Sequence, residues 1–240
     1  MDRAVKIVRA IFPKAKPEYI EAFDTGDAQL AAAGITTPLR LAHLLAQCGA
    51  ESGELTLTRE SLNYTTSARL QKIFANMRLS KPLMSGEVKM LLRQEKDLGE
   101  RFYGISLPSE LYRRSDLNGG INPGNTRKAK SLGNERPGDG FLFRGNGLLQ
   151  TTGGKAHKEA GEKVGVDFFN HPELVTAAKH ALKPVLFEWT ESKCNDFADA
   201  DNLLKVSRAI NIGNPNSQGT PNGMDDRAKF LKRARRALGI

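Results

Sequence analysis

Two glutamates stand nine positions apart in "AQCGAESGELTLTRESLNY", residues 46–64. Glu51 closes a segment in which Leu41, Leu44, Leu45 and Cys48 recur at three- and four-residue spacing, which puts it at the end of an apolar helix and close to the core. A carboxyl there is costly unless it is paired or used. Partial desolvation and the negative end of the helix dipole both favour its neutral form, which a general acid requires. Glu60 lies in polar sequence just before Asn63 and Tyr64, where a carboxylate stays ionised and can serve as a base. An unbroken helix would hold the two about 13.5 Å apart along its axis, but Gly53 predicts a turn that brings them closer. Carboxyls about 6.5–9.5 Å apart leave room for a water beside a sugar ring and can cut a glycosidic bond with inversion. Glu54 is a rival to Glu60, one helical turn from Glu51, and spacing does not separate them. The bland alternative is a pair of surface glutamates at a helix end.

Two further stretches carry usable side chains. "LLQTTGG", residues 148–154, offers the Gln150 amide and the Thr151 and Thr152 hydroxyls beside glycines that permit close approach. A threonine hydroxyl can hold a water and an amide can bind sugar hydroxyls, although Thr152 also reads as a plain helix N-cap. "RAINIGNPNSQG" puts Asn211 where a helix gives way to a glycine-rich loop, a position that an ordinary C-cap would also explain. His43, His157, His171 and His180 form no HExxH motif and do not pair with cysteines at ligand spacing. No phosphate loop, dinucleotide fingerprint or G-x-S-x-G elbow is present. Neither metal nor cofactor is expected.

Helices must position these residues. "KPEYIEAFDTGDAQLAAAG" opens on a proline and closes with Gly34 at C′. "TTPLRLAHLLAQCGAESG" has Thr36 or Thr37 as N-cap, Pro38 in the first turn and a stop at Ser52-Gly53. Helical spacing continues in "SARLQKIFANM", "SGEVKMLLRQEKDL", "TGGKAHKEAGEKVG", "ELVTAAKHALKPVLFEWTESK" (kinked or broken at Pro184), "ADNLLKVSRAIN" and "MDDRAKFLKRARRALG". In the last, Phe230, Leu231, Ala234 and Leu238 form an apolar stripe and the basic residues a solvated face. Residues 115–148 are rich in Gly, Asn and Pro and read as a functional loop. "FLFRGNGLLQTT" carries the one strand signal, a short hairpin. The fold class is mainly α: a two-lobed helical fold with a loop-rich middle, at most a small β-hairpin, and a cleft as the default site.

Taken in order, these stretches resemble glycoside hydrolase family 19, the chitinase-like group that includes many phage endolysins. The resemblance runs from "GITTPLRLAHLLAQCGAESG" through "RESLNY", is strongest at "GNERPGDGFLFRGNGLLQTTGGKAHKEAGEKVGVDFFNHPEL", and resumes at "VSRAINIGNPNSQGTPNGMDDRAKFLKRARRALG". It implies a lysozyme-like fold and roles for particular residues. Glu51 matches the general acid, Glu60 in "ESLNY" the general base in preference to Glu54, and Thr152 the residue that helps hold the attacking water. Gln150 and Asn211 match residues that line the sugar site, and Asn63 and Tyr64 the segment flanking the base. Departures are Gly145-Asn146-Gly147 in place of G-R-G, and Ala156-His157 in place of Asn-Tyr. The disulfides and chitin-binding module of plant chitinases are absent.

The implied protein is a single catalytic domain over residues 1–240, without a separate wall-binding module. It would hydrolyse β-1,4 links between N-acetylhexosamines in peptidoglycan strands. A chitinase, a lytic transglycosylase and a non-catalytic wall- or nucleic-acid-binding protein are the alternatives. With 36 Lys and Arg against 27 Asp and Glu, the formal charge is +9, which favours polyanions such as an acidic wall or, transiently, an anionic membrane. No nucleic-acid partner is expected, and the protein is expected to be a monomer. Cys48 and Cys194 are too few and too far apart for a disulfide framework and read as buried thiols. "MDRAVKIVRAIF" lacks the unbroken apolar core of a signal peptide, and no run of eighteen apolar residues occurs. The expectation is therefore synthesis in a host cytoplasm, export through a lesion made by a holin-type partner, and action on the wall in the periplasm.

Overall fold

The computed structural model describes residues 4–75, 86–105 and 126–240. The first part of the expected loop, 115–125, and the C-terminal end of "SARLQKIFANM" lie outside the described residues. Helices dominate what is described. They are α1 (Ala4–Ile11), α2 (Pro17–Thr25), α3 (Asp27–Ala32), α4 (Pro38–Glu51), α5 (Ser67–Ala75), α6 (Glu87–Leu91) and α7 (Glu95–Tyr103). After these come α8 (Thr126–Leu132), α9 (Asp139–Leu142), α10 (Gly154–Val164), α11 (Leu182–Glu191), α12 (Cys194–Asp199), α13 (Leu203–Ile212) and α14 (Met224–Leu238). The fold is mainly α, and no described helix is long and apolar enough to cross a membrane.

The chain divides into two units. The first comprises Met1–Thr58, Asn146–Gln150 and Ala160–Ile240. Its centre is α4, where Leu41, Ala42, Leu44, Leu45, Ala46 and Cys48 are all fully buried. Thr37 caps this helix by accepting from the Arg40 amide at 3.2 Å, and Pro38 occupies the first turn. Helix α14 packs on α4 with Phe230, Leu231 and Ala234 inward, the stripe that its spacing predicts. Gly49 makes this approach close: a Cβ there would lie 2.4 Å from the Phe12 ring and 3.0 Å from Phe230. Those two rings meet edge to face at 5.3 Å.

Past α4 the chain reverses through three successive left-handed residues, Gly53 (φ 56°), Glu54 (φ 59°) and Leu55 (φ 62°). Only glycine adopts this conformation without penalty, so Glu54 and Leu55 each carry about 1–2 kcal/mol of strain. The Leu55 side chain is fully buried and the Leu55 carbonyl accepts from the Lys16 amide at 2.9 Å, contacts that hold the turn. Gly53 predicts a turn here, and the structure extends it over three residues.

The second unit comprises Arg59–Gly145 and Thr151–Glu159. Its core is Leu62, Leu70, Phe74, Leu91, Leu98 and Phe102. Phe102 meets Phe74 edge-on at 5.1 Å and Tyr64 at 6.4 Å. Helix α9 lies against α7 because Gly99 has no side chain: a Cβ there would be 2.6 Å from the Phe141 Cα. A fully buried ion pair, Arg101 Nε to Glu87 Oε1 at 2.6 Å, joins α6 and α7.

Five sequence expectations need correction. The loop expected over 115–148 carries helices α8 and α9 in its described part. The helix expected over 17–33 is two, broken at Gly26, where a Cβ would strike Leu182 at 2.3 Å. "SGEVKMLLRQEKDL" is likewise divided, into α6 and α7, with Arg93 left-handed between them (φ 63°). Pro184 does not kink a long helix. A short 3₁₀ turn, Pro172–Thr176, precedes α11, and Pro184 is the third residue of α11, where its missing N–H had no intrahelical partner to lose. The strand signal in "FLFRGNGLLQTT" gives no hairpin. Phe141 and Leu142 end α9 and turns follow, with Phe143 N donating to Asp139 O at 2.9 Å and Gln150 N to Gly147 O at 3.2 Å. Helix α12, which begins after left-handed Lys193, was missed because six residues are too few to show a period.

Replacing Gly49 by Ala tests the α4–α14 contact. Alanine is the better helix former by about 1 kcal/mol, yet the methyl group must displace a buried ring. Gly49→Ala is expected to lower the unfolding free energy by about 1–3 kcal/mol, measured by urea denaturation with the m-value unchanged.

Candidate active site

In the first unit Glu51, the last residue of α4, is held by a closed ring of polar contacts. Arg227 on α14 is fully buried. Its Nη2 donates to Glu51 Oε1, its Nη1 to Gln47 Oε1, and its Nε to the Asn222 carbonyl at 3.0 Å. Asn211, in the last turn of α13, donates through Nδ2 to the same Glu51 Oε1 at 3.2 Å. The Asn222 amide donates to Asn211 Oδ1 at 2.8 Å. That bond fixes which end of the Asn211 amide faces Glu51. Gln47, one helical turn before Glu51, donates onward to the buried Ser207 hydroxyl at 3.4 Å. Both bonds to Glu51 end on Oε1, which leaves Oε2 without a protein partner among the described residues. Of the two outcomes open to a carboxyl at this helix end, the structure shows pairing.

Glu188 on α11 is a second acidic group electrostatically coupled to Glu51. Burial first, and then the Glu51 charge, push its carboxyl up to about 7. Glu54 faces elsewhere: Arg233 donates to its Oε2 at 3.2 Å, and the Lys229 ammonium lies 3.9 Å from Oε1. Gln150, left-handed at φ 51°, uses its amide Nε2 on the Gly147 carbonyl at 2.9 Å within the turn 147–150. His43 is buried with Nε2 3.0 Å from Asp201 Oδ1, the structural role that its position on α4 suggests.

Glu60, Asn63, Tyr64 and Thr152 belong to the second unit. The Glu60 carboxylate accepts from the Tyr103 hydroxyl at 3.0 Å through Oε1 and from the Gly145 amide at 3.3 Å through Oε2. Its backbone is pinned as well: the Glu60 amide donates to Gly145 O at 2.8 Å, and Arg144 Nε donates to the Glu60 carbonyl at 3.0 Å. Burial is the largest influence on this carboxyl and raises its pKa above the ordinary 4.5, against the opposing pull of Tyr103, Gly145 and Arg144. The polar sequence around Glu60 implied a solvated carboxylate; the structure gives it a half-buried one with a hydrogen bond on each oxygen. Tyr64 is half-buried with the Arg69 guanidinium 5.7 Å above its ring, and Asn63 is exposed.

Thr152 shares this framework through its neighbours. The Gly153 amide donates to Phe143 O at 2.8 Å, two residues before Gly145, and the Gly154 amide to Asn134 Oδ1 at 2.8 Å. Asn134 in turn donates to the Tyr103 carbonyl at 2.9 Å. Thr152 is not the cap of α10, because the Gly153 carbonyl receives the first helical bond, from His157 N at 3.1 Å. Sequence reasoning missed Arg227, Gln47, Tyr103 and Glu188. A signal for Arg227 was available: it precedes Phe230, Leu231 and Ala234 by three, four and seven residues, on the apolar stripe. Among the described residues no group of three or more His, Cys, Asp or Glu side chains could hold a metal ion.

The mainly α fold is of the lysozyme-like kind. No family model matches the chain. It is 30% identical over 226 residues to the glycosyl hydrolase family 19 domain-containing protein of Haemophilus influenzae, covering 92% of this chain and 90% of that one. Chitinase C from Streptomyces griseus HUT6037 shares the fold with a TM-score of 0.60 at 16% identity, covering all of this chain and 78% of that one. A bacterial family 19 chitinase gives a TM-score of 0.57 at 18% identity, covering 98% of this chain and 94% of that one. The chain belongs to glycoside hydrolase family 19 and is a glycoside hydrolase.

Two stability measurements probe the carboxyls. Arg227→Met strands Glu51 at a largely buried site, and a loss of about 3–5 kcal/mol is expected. The double variant with Glu51→Gln should recover part of it, as read by a double-mutant cycle in urea. For Glu60 the sign follows from its direction of shift. A folded carboxyl with a raised pKa binds its proton more tightly than the unfolded one, so ionising it opposes folding. The penalty is present above the folded pKa and vanishes below about 4.5. Glu60→Gln should therefore melt higher than wild type at pH 7, with the difference closing as the pH falls to 4.

Proposed function

We propose that this family 19 hydrolase cleaves the β-1,4 links of peptidoglycan strands, as a lysis enzyme of the endolysin kind, by an inverting mechanism with Glu51 as acid and Glu60 as base. The observation that carries the reading is the contrast between the two carboxyls. Glu51 is held at one oxygen by Arg227 and Asn211, so Oε2 remains to deliver a proton to the glycosidic oxygen. Glu60 receives hydrogen bonds from Tyr103 and Gly145, which favour its charged form and suit it to take a proton from water. The water attacks the anomeric carbon as the leaving sugar departs, and the configuration inverts without a covalent intermediate. Thr152 helps orient that water, Asn211 positions the acid as well as contacting sugar, and Gln150, Asn63 and Tyr64 bind the strand. The pairing of Glu54 with Arg233 and Lys229 supports Glu60 over Glu54 as the base.

The net charge of +9 favours an anionic wall polymer over uncharged chitin as substrate. Chitin is the second reading, favoured by the two chitinases whose fold the chain shares.

Glu51→Gln and Glu60→Gln are each expected to lose about 10²–10⁴ in rate on purified peptidoglycan, while Glu54→Gln keeps most of it. Colloidal chitin assayed alongside should be the poorer substrate. Mass spectrometry of the products should show reducing ends, and NMR the inverted anomer. A 1,6-anhydro end would make the enzyme a lytic transglycosylase. Full activity of folded Glu51→Gln would refute the assignment of the acid.

A further inference from the structure

Helix α7 ends on Tyr103, whose hydroxyl donates to Glu60 Oε1 at 3.0 Å. The phenol is held from several sides. Its ring packs edge-on against Phe102 at 5.9 Å and lies on the core of the second unit. Its carbonyl accepts from Asn134 Nδ2 at 2.9 Å, and Asn134 is itself fixed by the Gly154 amide. Gly104 follows at once, with its amide bonded to Glu100 O at 2.8 Å, so the helix stops where the phenol is placed. Burial, together with the neighbouring Glu60 charge, pushes the Tyr103 hydroxyl well above the ordinary tyrosine range, so it remains a donor at any working pH.

The carboxylate it meets has limited freedom. Gly145 N donates to Oε2, and Arg144 and Gly145 pin the Glu60 backbone on either side. A carboxylate oxygen has two acceptor directions. Tyr103 occupies one on Oε1 and Gly145 one on Oε2, which leaves a direction on each for a water proton. The carboxyl plane is thereby set by two donors on two different segments.

We propose that Tyr103 is the positioning residue for the general base, fixing the plane of the Glu60 carboxylate and keeping its accepting lone pair aimed at the water. The inference rests on the reading of Glu60 as the base. Tyr103 touches neither sugar nor water in this role and acts only through Glu60. Its hydrogen bond is charge-assisted, the kind whose loss is felt most strongly.

Tyr103→Phe removes the hydroxyl and keeps the ring. The expected result on peptidoglycan is a fall in kcat of about 10- to 100-fold with KM little changed. The acid limb of the kcat/KM profile, which reports ionisation of the free enzyme's base, should move to higher pH, because the charged form has lost a donor. A merely structural role would lower the melting temperature and leave that limb in place. Incorporation of 3-fluorotyrosine at position 103 keeps shape and folding and strengthens the donor, and it should move the limb to lower pH. Glu60→Gln is the control for the underlying reading: if it stays active, the assignment of the base fails, and with it the role of Tyr103. If Glu60→Gln is inactive while neither Tyr103 variant moves the acid limb, the assignment of the base stands and the positioning role is overturned. Should Tyr103→Phe fail to fold, the fluorotyrosine arm decides alone.

Discussion

A guanidinium sealed in the interior of the first unit holds the candidate acid in place. Arg227 loses its water on folding and must find a partner for each face of its fork. It finds Gln47 and Glu51, one turn apart on α4, and the Asn222 carbonyl on the loop before α14. The Gly49 approach and the Phe12–Phe230 contact flank it and keep the two helices close enough for the fork to reach. Asn211 closes the ring from α13. A carboxyl that burial alone would make unfavourable becomes the centre of a satisfied network, and its position is set by elements far apart in sequence.

The second unit solves the opposite problem. Neutral groups bond the Glu60 carboxylate among the described residues, while Arg144 spends its Nε on the Glu60 carbonyl. Neutral donors, a phenol and a backbone amide, offset the burial. Such bonds orient a carboxylate without the neutralising charge that would weaken it as a base. The same chain thus holds one carboxyl by charge and the other by neutral dipoles.

Much of this framework was legible. Thr37, Pro38 and Ser52-Gly53 delimit α4 in sequence because capping is local chemistry, and the apolar stripe of α14 reads directly from its spacing. What failed was whatever depends on contacts distant in sequence. Glycine at position 26, where the helix breaks, leaves room for Leu182, which no window around residue 26 contains. "FLFRGNG" reads as a strand because its aromatic residues have β propensity, yet Gly99 admits Phe141 as part of a helical turn. Glu51, Glu60 and Asn211 stood out as candidates by motif, whereas Arg227 and Tyr103 were passed over. Arg227 is one basic residue among many on α14, and Tyr103 lies 43 residues from Glu60.

The ring around Glu51 also has a schedule. Arg227 lies 176 residues after Glu51, and Asn211 lies 160 after it. At ribosomal rates of about 5–20 residues per second, Glu51 waits roughly 9–35 s for its arginine to be made. During that interval α4 carries a carboxylate with no countercharge and an apolar face with no α14 to cover it. The nascent chain therefore cannot clamp Glu51 early, and a product cut short before α14 would lack the clamp altogether. For a glycoside hydrolase built this way, completion of the polypeptide doubles as the moment at which Glu51 is clamped.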